Sequence, residues 1–63
     1  MWYFVEYNGR LLKATKRIKP AVDFIHRKGL KDDLDNKLVL VDSQGDTYNP
    51  FTGQMLYPWE ITE

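Results

Sequence analysis

Eight of the nine basic residues fall between positions 10 and 31: Arg10, Lys13, Lys16, Arg17, Lys19, Arg27, Lys28 and Lys31. Asp23 is the only carboxylate in that window, which therefore carries seven surplus positive charges. Beyond it Lys37 faces Asp32, Asp33, Asp35, Asp42, Asp46, Glu60 and Glu63, and Glu6 brings the formal net charge to zero. Ammonium and guanidinium groups at this density can neutralise phosphates, with a strong dependence on salt. Asymmetry between the halves of a chain points to a charged partner. The competing reading is that folding brings the halves together and the charges answer each other. Asp23 and Arg27 already have the i, i+4 spacing of a helix pair.

Aromatic residues interleave with the basic ones. Trp2 and Phe4 share a parity in a strand-like run and fall on one face of it. Beside lysines they could stack on bases or anchor a protein partner. A third arrangement covers them with the C-terminal run Tyr57-Pro58-Trp59-Glu60-Ile61. Left open, such an apolar face suits a homodimer. The candidate nucleic-acid contacts are Arg10, Lys13, Lys16, Arg17, Lys19 and Lys28, and the candidate stacking or interface groups are Trp2 and Phe4.

Other chemistry finds little support in the composition. The chain has one histidine (His26), one serine (Ser43) and no cysteine, so disulfides and thiolate-bound metals are excluded. His26 has no second ligand at a metal-binding spacing, and it reads as a partly exposed helical histidine or a pH-sensitive contact. Asp32, Asp33 and Asp35 lack the glycine and glutamate that a calcium loop places after its acidic ligands. They read as a solvated turn. Ser43 reads as a turn residue bonding local backbone. No glycine-rich phosphate loop is present, so no cofactor is expected, and the inventory argues against an enzyme. The longest apolar run is Met1–Val5, far short of the ~20 residues that span a bilayer. Glu6 ends it and no basic segment precedes it, so neither a membrane helix nor a signal peptide is expected and the cytoplasm is the default location.

These residues must be positioned by a very small fold. At 63 residues there is room for one domain, 1–63, with a thin core. The run Trp2 to Tyr7 is rich in aromatic and β-branched types, which predicts a strand over 2–7. Asn8-Gly9 then signals a hairpin, and 10–15 is the returning strand. Strict alternation from that turn pairs Val5 with Leu12 and Tyr3 with Ala14, and sets Trp2, Phe4 and Glu6 opposite Thr15, Lys13 and Leu11.

Pro20, the apolar spacing Ile18, Ala21, Val22, Ile25, and Gly29 predict a helix over about 20–28. Leu38-Val39-Leu40-Val41 predicts a strand within 37–42 covered on both faces. Turn residues then separate short strands at 46–49 and 54–57. The expected fold is α+β, ββαββ(β): a mainly antiparallel sheet with one helix on one face. Its expected core is Tyr3, Val5, Leu12, Ala14, Val22, Ile25, Leu38, Leu40 and Tyr48. The expected function is a small interaction module, either nucleic-acid binding through segment 10–31 or protein–protein binding through the face around Trp2 and Phe4.

Overall fold

The hairpin forms where Asn8-Gly9 requires it. Asn8 (φ 52°) and Gly9 (φ 81°) both take the left-handed region, as a type I′ turn demands. This computed structural model describes residues 1–56. Its elements are β1 (Tyr3–Tyr7), β2 (Arg10–Thr15), α1 (Ile18–Lys28), β3 (Leu38–Asp42) and β4 (Thr47–Tyr48). The strands form one antiparallel sheet in the order β2-β1-β3-β4. The fold is α+β, with the helix packed on one sheet face.

The hairpin register departs from strict alternation. Tyr7 pairs with Arg10 and Glu6 with Leu11, but Val5 then pairs with Lys13, Phe4 with Ala14 and Tyr3 with Thr15. Leu12 is the extra residue of a β-bulge. An inserted residue shifts every later side chain to the opposite face. Lys13 and Thr15 therefore lie on the helix side and Ala14 on the outer side. The expected core positions Leu12 and Ala14 are corrected accordingly: both are exposed, whereas Thr15 is buried. A bulge is tolerated in β2 because an edge strand has only one ladder to satisfy.

The helix begins at Ile18, two residues ahead of its expected start. The Thr15 hydroxyl donates to the Arg17 carbonyl at 2.6 Å, and Arg17 is extended at the N-cap. Pro20 sits in the first turn, where backbone N–H groups lack intrahelical partners in any case. Gly29 (φ 65°) ends the helix, with Gly29 N–H bonded to His26 O and Leu30 N–H to Ile25 O, each at 3.2 Å. Those two bonds make a Schellman ending. Leu30 also packs against the core.

The core is Val5, Ala21, Ile25, Leu38, Leu40 and Tyr48. Tyr3 and Val22 pack against it while partly buried. Pairing between β3 and β4 covers only Leu40 with Tyr48 and Val41 with Thr47. Two steps further on, that register would set Pro50 opposite Leu38, and proline has no N–H to donate. The expected strand 54–57 is reduced, over its described part, to a bridge between Tyr48 and Met55, flanked by Asn49 N–H to Gln54 O and Leu56 N–H to Thr47 O. Tyr57, and the cover expected from Tyr57–Ile61, lie outside the described residues.

Candidate functional site

β2 carries Arg10 and Lys13 along one edge of the sheet, and the chain then passes Lys16 and Arg17 into the helix. The bulge decides which side each cation serves. Lys13 points toward the helix, and its ammonium lies 5.8 Å from the Phe24 ring centre. Lys28, one helical turn after Phe24, brings its ammonium within 5.9 Å of the same ring. Lys16 falls on the other side and sits 5.4 Å from the Trp2 ring. The expectation that Lys13 flanks Trp2 and Phe4 is thus corrected: Lys16 takes that place. Arg10, Arg17 and Lys19 are exposed.

Phe24 is a site residue that the sequence analysis missed. It lies beside, not on, the apolar stripe, and it is half-buried. The signal was available in Lys28, since residues four apart share a helix face. A shallow groove of about 700 Å³ adjoins this cluster, lined by Lys13, Pro20, Asp23, His26 and Arg27.

Trp2 is held at its backbone. Ser43 N–H donates to Trp2 O at 2.9 Å, and Trp2 N–H donates to Ser43 Oγ at 3.3 Å. Ser43, expected to bond its local backbone, is bonded instead to the distant Trp2. With its main chain tied on both sides, Trp2 remains 43% exposed.

The outer sheet face follows from the pairing. Phe4 lies between Ala14 and Val41, Glu6 lies between Leu11 and Val39, and Thr47 flanks Val41. Antiparallel sheets with one wet face normally place polar residues there. This face is largely apolar instead, with Leu11 58% exposed.

Among the described acidic residues, Asp33 and Asp42 are engaged in closing loops. Asp33 Oδ1 accepts the N–H groups of Asp35 and Asn36, each at 2.9 Å. Asp42 Oδ1 accepts those of Gln44 (2.8 Å) and Asp46 (3.0 Å), and Asp42 Oδ2 accepts the Tyr48 hydroxyl at 2.6 Å. The Asp42–Asp46 turn joins β3 and β4, on the far side of β1 from β2. The Asp32–Asn36 loop reaches the hairpin end, where Lys37 N–H donates to Asn8 Oδ1 and Asn8 Nδ2 donates to Asn36 Oδ1. Arg10 shares that end of the sheet.

His26 Nε2 lies 2.8 Å from the Phe51 carbonyl oxygen, which makes the nitrogen a donor and ties the 49–53 loop to the helix. Among the described residues no group of three His, Cys, Asp or Glu side chains could hold a metal ion, and no helix is long and apolar enough to cross a membrane. No family model, curated protein or solved structure matches this chain.

Proposed function

We propose that the protein is a non-catalytic nucleic-acid-binding module acting in the cytoplasm, with the β2 edge and the adjoining helix as its contact surface. The observation that carries this reading is the placement of Lys13 and Lys28 on Phe24 and of Lys16 on Trp2. A ring beside an ammonium leaves it its full charge. Among the described residues, the Asp33 and Asp42 carboxylates hold loops instead. An ammonium beside an aromatic face suits a ligand that alternates phosphates and flat bases.

The test is anisotropy of labelled DNA and RNA, single- and double-stranded, at about 50 and about 200 mM salt. Micromolar binding that weakens steeply with salt supports the reading. Lys16→Glu with Arg17→Glu should then weaken every probe. These positions lie just before and at the helix N-cap, where added negative charge favours the helix, so the variant keeps its fold. Equal affinity of wild type and the double variant would remove the proposal.

A second reading has its own observation, the apolar outer face with Leu11 58% and Trp2 43% exposed. On that reading the face meets a protein, such as a second copy of the chain. Sedimentation equilibrium over a hundredfold concentration range tests it: a constant monomer mass ends the homodimer form.

A further inference from the structure

Resting on the nucleic-acid reading above, we infer that the outer sheet face takes single-stranded and not duplex nucleic acid, whereas a duplex meets only the basic edge. Unpaired bases lie on Trp2 and Phe4 of the outer sheet face, and the backbone follows Lys16 at the β2 side.

Four features converge on this occupant. Phe4 is partly exposed on the sheet face, and Ala14 beside it is a small neighbour in the pairing. Trp2 presents its ring from a backbone bonded to Ser43 in both directions. Ordering that ring costs less than ordering a free terminal residue, because the main chain is already fixed. Lys16 stands at the ring it would serve, 5.4 Å away, and can bond a phosphate while the neighbouring base stacks. Glu6 lies one outward position beyond Phe4 and repels phosphates from the middle of the face. The backbone is thereby directed to the lysine side and the bases inward. A duplex cannot use this arrangement along its length, since its internal bases offer their faces only to each other. A base has a π-face whatever its identity, so the site tolerates many sequences.

The experiment uses the full chain carrying Trp59→Phe, which leaves Trp2 as the one tryptophan. Its fluorescence is followed while a short single strand, or a blunt duplex of equal length, is added at low salt. The expected result is quenching of Trp2 by the single strand and none by the duplex. Trp2→Ala should lower single-strand affinity roughly five- to hundredfold, the range of one lost stacking contact, and leave duplex affinity unchanged. Trp2→Phe should recover part of the loss, and far-UV circular dichroism checks that each variant is folded.

Equal losses for single strand and duplex in Trp2→Ala would overturn the inference and leave the basic-surface reading standing. Failure of both probes to bind any variant would overturn both. A blue shift of Trp2 on concentrating the protein alone would show a second copy on this face and overturn the inference as well.

Discussion

Tyr48 donates its phenolic hydrogen to Asp42 across 2.6 Å, inside the layer between sheet and helix. Asp42 is 3% exposed and also closes its own turn by accepting two main-chain N–H groups. Buried carboxylates survive only when so satisfied. The Tyr48 bond, followed by the main-chain bonds, holds the Asp42 carboxyl below its ordinary value of 3.8 despite the opposing effect of burial. The same bond pushes the Tyr48 phenol well above its ordinary 10.0.

A stability profile follows from those two directions. The lowered Asp42 value means its contribution is present above pH 3.8 and is lost as pH falls further. The raised Tyr48 value means its contribution is whole below pH 10.0 and is lost as pH rises beyond it. Urea midpoints measured from acid to alkaline pH should therefore form a plateau with two falling arms. Tyr48→Phe should lower the plateau, remove much of the alkaline arm and shallow the acid one. Unchanged arms would show that other groups set the pH limits.

The bulge at Leu12 makes a sharp contrast with the core. Ile25 is fully buried, so Ile25→Ala should cost about 2–5 kcal/mol. A domain this small rarely has more than ~3–5 kcal/mol in all, so the variant should be largely unfolded at 25 °C while Ile25→Val still folds. Leu12→Ala should change stability by less than ~0.5 kcal/mol, as at an ordinary surface site. Thermal melts decide the matter. A cost at Leu12 as large as at Ile25 would mean that the strand alternates without a bulge.

Two glycines separate backbone strain from crowding. Gly29 and Gly53 both have positive φ, at 65° and 79°. A Cβ on Gly29 meets nothing within 4 Å, but one on Gly53 lies 3.2 Å from Val22 Cγ2. Gly29→Ala should cost about 1–2 kcal/mol from its left-handed conformation alone. Gly53→Ala should cost more, because the 49–53 loop must also lift from the helix. Chemical denaturation of the two variants checks the order.

Local rules made part of this legible in the sequence. Asn8-Gly9 needs only its own dihedrals to turn, and Gly29 only its own to end the helix. The run Leu38–Val41 announced a strand by residue type. The bulge was not legible, because it is a property of which residues pair and leaves no mark on the propensity of Leu12. That single shift also misplaced Lys13 and Ala14. The Asp42–Tyr48 bond and the role of Ser43 at Trp2 were hidden for a related reason. Each is a contact set by the sheet, between side chains whose types suit a turn or a strand equally well. Of the candidate cations, the sequence supplied the list, but the structure alone sorted Lys13 and Lys28 onto Phe24 and Lys16 onto Trp2.

That sorting gives the last prediction. If Lys13 and Lys28 each neutralise a phosphate, Lys13→Gln with Lys28→Gln should reduce the salt slope of binding by about two. Affinity should fall by a similar factor for all sequences, because a phosphate contact carries no base identity. The fold should survive, since each exposed cation–π contact is worth only about 0.5–1 kcal/mol. Arg10→Gln should have a smaller effect, because Arg10 shares the hairpin end with the Asp32–Asn36 loop and already sits in its field. Lys37→Gln, on the acidic side of the charge boundary, serves as the reference substitution and should leave the slope unchanged. Titrations at four or more salt concentrations would read all three slopes. Equal slopes for the double variant and wild type would take the phosphates off Lys13 and Lys28 and leave them to Lys16 and Arg17.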